Sequence, residues 1–126
     1  MILGIGVDII KTARFTRMSQ RFIARVFTPG ERAYILRKNH VSAAGIFAAK
    51  EAVVKALGTG FKGFWPDSIE ITHDERGKPY VILHGEAKLV ADRLAGQRDY
   101  SIELSISHTD TDAVAFAIIA CCASLH

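Results

Sequence analysis

Three ionisable residues stand out because their surroundings are unlike those of ordinary surface charges. In a strand, Gly4, Gly6 and Asp8 would share one face, which is bare of side chains up to the carboxylate. Glu51 and Lys55 lie one helical turn apart in a predicted helix. Two carboxylates from different elements suit a hard cation such as Mg²⁺, which takes one or two protein carboxylates and fills its shell with water and phosphate oxygens.

A simpler interpretation is a surface ion pair between Glu51 and Lys55 at i, i+4 spacing, worth roughly 0.2–0.5 kcal/mol. Lys50 argues against a fully solvated face, because it falls in the middle of the apolar arc of the same helix. A lysine in that position needs a buried stem and a partner for its ammonium group. The residues alone leave both interpretations open.

The segment after this helix has the composition of a phosphate-binding loop. Gly58, Thr59 and Gly60, followed by Lys62, offer backbone N–H groups and a point charge. Glycines after a helix are also common as simple C-caps, and the Walker pattern is absent. His108 stands at a predicted strand end, where it is either a structural histidine or part of a site.

A basic segment near the start of the chain predicts a binding surface. From Ile9 to Gly30 there are five basic residues and no acidic one. A helix capped by Thr12 and running to Val26 would carry four arginines beside an exposed apolar stripe. Such a surface is a solvated face, a dock for an acidic amphipathic helix, or a nucleic-acid contact, the last having little support without a recognisable module. The candidate docking residues are Arg14, Met18, Arg21, Phe22 and Arg25.

The elements that must position these residues predict an α+β fold, a mainly antiparallel sheet packed on a long central helix. That helix, Ser42 to Leu57, is alanine-rich and followed by Gly58 as a C-cap. The apolar strand from Val114 to Ala120 is expected to be central. The other predictions are helices from Thr28 to Lys38 and Glu86 to Leu94, and strands over Ile2–Ile10, Ser68–His73, Pro79–His84 and Tyr100–Ser107.

Composition limits the class of protein. The chain has 126 residues, 49% hydrophobic and 23% charged, with a net charge of +3, which fits one domain over residues 1–126. Cys121 and Cys122 are adjacent, which argues against a disulfide framework or structural zinc site and favours the cytoplasm. The longest uncharged stretch, 14 residues, is shorter than the roughly 20 of a membrane span. A mean hydropathy of +0.18 hints that a partner covers apolar surface.

Together these segments resemble the holo-acyl-carrier-protein synthases, the small trimeric bacterial type of 4′-phosphopantetheinyl transferase. The resemblance spans nearly the whole chain, and its most specific part is the block from Phe47 to Gly60, FAAKEAVVKALGTG. The other matching segments are GIGVDI at Gly4–Ile9, DSIEI at Asp67–Ile71, GKP at Gly77–Pro79 and SISH at Ser105–His108.

The resemblance implies a 4′-phosphopantetheinyl transferase fold and a magnesium-dependent enzyme. It would move the 4′-phosphopantetheine arm of coenzyme A onto a serine of apo acyl carrier protein and release adenosine 3′,5′-bisphosphate. Asp8 and Glu51 would bind Mg²⁺, and Lys55 would contact the diphosphate and assist departure of the nucleotide. The base would be Glu51 or a metal-bound water. The coenzyme A site would be lined by Gly58, Gly60, Pro79, His108 and Thr109, to which we add Thr59, Lys62 and Lys78 as candidates.

The resemblance also implies a homotrimer with active sites between subunits, whose early basic helix receives the acidic carrier protein. Such a trimer would account for Lys50 if that face meets another subunit. One departure is Ile46, where many members carry arginine, so that Lys62 or a neighbouring subunit's arginine would have to replace this contact. The alternatives are a non-catalytic basic module that binds an acidic protein or nucleic acid, and a relative that modifies another carrier, such as a polyketide carrier.

Overall fold

A computed structural model describes residues 1–60 and 66–122, which form four α-helices and five β-strands. None of the described helices is long and apolar enough to cross a membrane. The strands are β1 (Ile2–Lys11), β2 (Ile69–His73), β3 (Pro79–Leu83), β4 (Tyr100–His108) and β5 (Asp112–Cys121). The helices are α1 (Gln20–Val26), α2 (Pro29–Arg37), α3 (His40–Leu57) and α4 (Gly85–Leu94).

Two antiparallel sheets pack around α3, which matches the predicted architecture. The larger sheet has the strand order β1-β5-β4, and β2 and β3 form a separate hairpin. The central position of β5 confirms the prediction for the apolar strand from Val114 to Ala120. One face of the larger sheet covers α3, whose buried side includes Ile46, Ala49 and Val53.

The glycines of β1 allow its backbone to lie directly on α3. A Cβ atom on Gly4 would overlap the carbonyl oxygen of Ala56, and one on Gly6 would overlap that of Ala52. The bare strand face therefore receives a helix backbone rather than a ligand. Asp8 is the next residue on that face, so the same close contact brings its carboxylate to the helix surface.

We predict that Gly6→Ala destabilises the fold by at least about 1–3 kcal/mol, because the new methyl group would meet a backbone oxygen that cannot rotate away. Gly30→Ala is the matched control, since the nearest atom to its new methyl group, at 3.2 Å, is the end of the Glu70 side chain. Urea unfolding measures both. Equal stability of the two variants would contradict this account of the β1–α3 contact.

The predicted helix from Thr12 to Val26 is wrong, because the structure breaks it into two elements. Thr12–Phe15 form a 3₁₀ turn, and α1 begins only at Gln20. Thr12 caps no helix; its hydroxyl donates to the carbonyl of Asp110 at 2.6 Å, which ties it to the β4–β5 turn. Ser19 provides the cap instead, since its Oγ accepts the N–H of Phe22 at 3.1 Å.

The start of α2 and both ends of α3 follow the capping rules more closely. The capping box predicted at the start of α2 is present, with Thr28 and Glu31 each accepting the other's backbone N–H. Helix α3 starts two residues before the predicted Ser42, because the Asn39 side chain accepts two backbone N–H groups. Gly58 ends α3 with a φ of +81°, the left-handed conformation that favours glycine at this position.

Lys50 is fully buried within this chain, so the expectation that its face meets another subunit is wrong. Its Nζ lies 2.8 Å from Oε1 of Glu31, which has no exposed side-chain surface either. Lys50 also donates to the carbonyl oxygens of Pro66, at 3.0 Å, and Ile69. Burial lowers the pKa of Lys50, whereas the Glu31 carboxylate opposes that shift. The pair joins α2, α3 and β2 in the core.

Candidate active site

The three residues singled out from the sequence meet where β1 crosses the second half of α3. Nζ of Lys55 lies 3.2 Å from Oδ1 of Asp8 and donates to the carbonyl of Val7 at 2.9 Å. In the described part of the chain, Lys55 therefore pairs with Asp8 rather than with Glu51, so the simple i, i+4 ion pair is not what forms. The contact depends on the glycines, since side chains at those positions would hold β1 away from α3.

Glu51 lies close enough to Asp8 for the charge of Asp8 to act on its carboxyl group. Burial raises the pKa of the Glu51 carboxyl, and the negative charge of Asp8 raises it further. Lys55 and Arg14 act in the opposite direction, but they do not cancel the shift. Two carboxylates thus lie close enough to repel each other in a partly buried setting that favours additional positive charge.

This donor set fits Mg²⁺ better than a metal held by several protein ligands. In the described residues, no group of three or more His, Cys, Asp and Glu side chains is arranged to hold a metal ion. Asp8 and Glu51 would supply two hard carboxylate ligands, and an ion bound there would need water or phosphate oxygens for the rest of its shell. Mg²⁺ commonly binds in this way, whereas a structural zinc site needs four ligands.

The segment after α3 begins close to this cluster. The backbone N–H of Gly58 is used by α3 itself, donating to Val54 and Lys55 at 3.0 and 3.1 Å. The hydroxyl of Thr59 donates to the carbonyl of Gly60, a residue with a φ of +63°. Lys62 lies outside the described residues.

A second cluster surrounds a cavity of about 170 Å³ between α3, the β2–β3 turn and β4. Pro79 and His108 both line it, as does Ile46. The described lining contains neither Asp8 nor Glu51. Ile46 and Glu51 are about 140° apart around α3, so the cavity and the carboxylates lie on different sides of this helix.

Two further candidates have structural contacts of their own. The backbone N–H of Lys78 donates to Asp74 at 2.8 Å, and its ammonium lies 5.4 Å from the ring centre of Tyr80. Thr109 shapes the β4–β5 turn, where its Oγ1 accepts the N–H groups of Thr111 and Asp112. Both lie beside residues of the cavity lining, Pro79 and His108.

Sequence reasoning missed two of the cavity's side chains. The rings of Tyr34 and His73 stack with centres 3.9 Å apart and planes 3° from parallel. Burial and the charge of Lys38 lower the pKa of His73. No periodicity marks the pair, because Tyr34 comes from α2 and His73 from the end of β2.

The candidate docking residues lie on the 3₁₀ turn, the segment after it, and α1. The guanidinium carbon of Arg14 is 5.8 Å from the ring centre of Phe47, and Arg21 and Arg25 are exposed. Met18 is partly buried, and Phe22 packs against three other phenylalanines. The apolar stripe is therefore less exposed than the sequence suggested, because the chain's own core uses most of it.

Comparison with known proteins identifies the family. A model of the 4′-phosphopantetheinyl transferase superfamily matches residues 4–115. The chain belongs to this superfamily. This transferase is 46% identical to the holo-[acyl-carrier-protein] synthase of Clostridium perfringens (strain 13 / Type A), over 94% of each chain. It is 47% identical to that of Clostridium tetani, over 94% of this chain and 96% of the relative.

Solved structures of the same family share the fold. Holo-[acyl-carrier-protein] synthase from Neisseria meningitidis aligns with a TM-score of 0.81 at 35% identity, covering 95% of this chain and 99% of the other. The Bacillus anthracis enzyme, in complex with CoA (3′,5′-ADP), aligns with a TM-score of 0.76 at 37% identity, covering 94% and 96%. The family, the enzyme class and the α+β fold predicted from the sequence are confirmed.

Proposed function

We propose that this transferase moves the 4′-phosphopantetheine group of coenzyme A to a serine hydroxyl of apo acyl carrier protein, releasing adenosine 3′,5′-bisphosphate with the help of Mg²⁺. The observation that carries the proposal is the meeting of Asp8 and Lys55, 3.2 Å apart, beside Glu51. Phosphoryl transfer depends on cations placed against phosphate oxygens. This cluster can hold a metal cation and already contains the ammonium group of Lys55.

Asp8 and Glu51 would hold the ion, which when bound supplies positive charge to the diphosphate oxygens. Lys55 has its ammonium already placed at Asp8, where it can offset the negative charge that develops on the departing nucleotide phosphate. The serine oxygen attacks the phosphorus that carries the pantetheine arm. The bond from this phosphorus to the oxygen of the nucleotide phosphate breaks, and the nucleotide phosphate leaves with the electron pair. The serine proton would pass to the Glu51 carboxylate, directly or through a water.

The cavity lined by Pro79 and His108 supports a role in holding coenzyme A. Its walls include the rings of Tyr34 and His73, which are suited to a flat heteroaromatic group. Ile46 lines it as well, so the arginine common in the family is missing there. The neighbouring Arg37 and Lys38, each within 5.8 Å of the Tyr34 ring centre, are candidates to supply the missing positive charge.

A homotrimer with shared active sites is supported by the outer face of the larger sheet. Ile5, Val7 and Ile9 are all more than half exposed, and Phe116 lies opposite Val7 on β5. Such an apolar patch is typical of a protein interface. Assembly would also allow the cavity of one copy to complete the carboxylate cluster of another. Light scattering tests this, with the mass of three chains expected and that of one chain contradicting it.

The acidic carrier protein would dock on the basic surface made by Arg14, Met18, Arg21, Phe22 and Arg25. Arg14 supports this placement. It belongs to the docking surface, and its positive charge also acts on the Glu51 carboxyl, whose pKa it lowers. We place the reaction in the cytoplasm, in keeping with the free thiols of Cys121 and Cys122. A non-catalytic basic module would explain the arginines but not the cluster of Asp8, Glu51 and Lys55.

The proposal is tested by the release of adenosine 3′,5′-bisphosphate, followed by chromatography. We expect release only when the transferase, coenzyme A, apo carrier protein and Mg²⁺ are all present. Removing the metal with EDTA should stop the reaction, and adding excess Mg²⁺ should restore it. Equal rates in EDTA would contradict the metal site, and release without any carrier would indicate hydrolysis rather than transfer.

A further inference from the structure

An apolar groove between α1 and α2 lies beside the proposed carrier-docking surface and shares only Met18 with it. Met18, Ile23, Phe27, Ile35 and Leu36 line it, and its volume is about 270 Å³. Leu36 is 86% exposed, which leaves a large apolar side chain at the rim without cover from the described chain. A leucine in this position contributes little to the core and is suited to contact with a partner.

The stretch of chain that forms the groove is strongly basic. From Lys11 to Lys38 the chain has eight basic residues and a single acidic one, Glu31. Glu31 is buried in its ion pair with Lys50, so it presents no negative charge at the surface. Arg32 lines the groove itself. A partner that fits must therefore place an apolar side chain in the groove and acidic side chains around it.

The groove continues directly into the proposed carrier-docking surface. A neighbouring depression of about 290 Å³ is lined by Arg14, Arg17, Met18 and Phe22. Met18 lines both concavities, so they lie on either side of this one side chain. A single amphipathic helix with acidic side chains beside its apolar face can contact both concavities, because side chains three or four residues apart lie on one face.

We propose that the α1–α2 groove is a second anchoring point for the carrier protein and receives an apolar side chain from an acidic amphipathic helix. This inference rests on the proposed function and adds to it a specific surface on α2, with Leu36 as the main contact. The neighbouring concavity would hold the helix near the active site, and the groove would fix its direction.

The test compares Leu36→Gln, Leu36→Glu and wild type in two assays. The first is binding of fluorescently labelled apo carrier protein without coenzyme A, and the second is the KM for carrier and for coenzyme A during transfer. We expect Leu36→Gln to weaken carrier binding several-fold and Leu36→Glu at least tenfold, since the latter also adds negative charge. The KM for coenzyme A should stay unchanged.

Leu89→Glu on α4 is the matched control, because Leu89 is also exposed and does not line the groove. It should leave carrier binding unchanged, whereas Arg21→Glu should weaken it and show that the assay reads docking. Unchanged carrier binding in both Leu36 variants would overturn the proposal, as would a change of oligomeric mass caused by Leu36→Glu. If wild type binds carrier but transfers nothing, the proposed function fails while the binding data still decide this surface.

Discussion

Replacing Asp8 with asparagine should lower kcat/KM for transfer by at least about 10²–10³-fold while the protein stays folded. The new side chain has nearly the same shape but no charge. It therefore weakens the site for a divalent ion and removes the anion that positions Lys55 at 3.2 Å. Glu51→Gln should have an effect of similar size, because it removes the second carboxylate. Transfer rates over a series of Mg²⁺ concentrations measure both variants.

Asp92→Asn is the matched control for these variants. Asp92 also pairs with a lysine, Lys88 at 3.0 Å, but on the surface of α4. Its loss should leave the transfer rate within about twofold of wild type, since exposed pairs of this kind contribute little. Full activity of both Asp8→Asn and Glu51→Gln would refute the metal assignment, provided that circular dichroism shows all three variants folded.

Replacing Lys50 with methionine should cost about 3–5 kcal/mol of the free energy of unfolding, the largest stability effect that we expect from a single side chain. Methionine fills much of the same volume, but it leaves the Glu31 carboxylate buried without its partner at 2.8 Å. It also removes the donor to the carbonyls of Pro66 and Ile69. Urea unfolding followed by circular dichroism gives the difference.

Two further variants separate loss of the charge pair from loss of packing. Lys50→Met combined with Glu31→Gln should be more stable than Lys50→Met alone, because no unpaired charge remains in the core. Lys88→Met, which breaks an exposed pair, should cost far less stability than Lys50→Met. A cost below 1 kcal/mol for Lys50→Met would show that the buried pair does not hold α2, α3 and β2 together.

The sequence could predict the residues of the carboxylate cluster because each lies in a regular element with a strong local pattern. Alternation in β1 put Asp8 on the glycine face, and helical spacing put Glu51 and Lys55 on one side of α3. What the sequence could not show was the pairing: Lys55 turns to Asp8, 47 residues away along the chain, rather than to Glu51. That choice depends on how closely the two backbones pack.

Two predictions, for the face of Lys50 and for the helix from Thr12, were wrong for the same reason. Both depend on contacts between distant parts of the chain. The partner of Lys50 is Glu31, which the sequence indicated only as a capping residue. Its carboxylate both caps α2 and pairs with Lys50. The continuous helix from Thr12 was wrong because helical spacing of apolar residues persists across the break. Only tertiary contacts divert Thr12 to Asp110 and leave Ser19 to start the helix.

The most direct test of the central claim is the intact mass of an authenticated apo acyl carrier protein after incubation with this transferase, coenzyme A and Mg²⁺. We expect the carrier to gain the mass of one phosphopantetheine group. The gain should disappear when its acceptor serine is replaced by alanine, and it should be strongly reduced with Asp8→Asn. An unchanged carrier mass with the wild-type transferase, under conditions where a known synthase modifies the same carrier, would contradict the account.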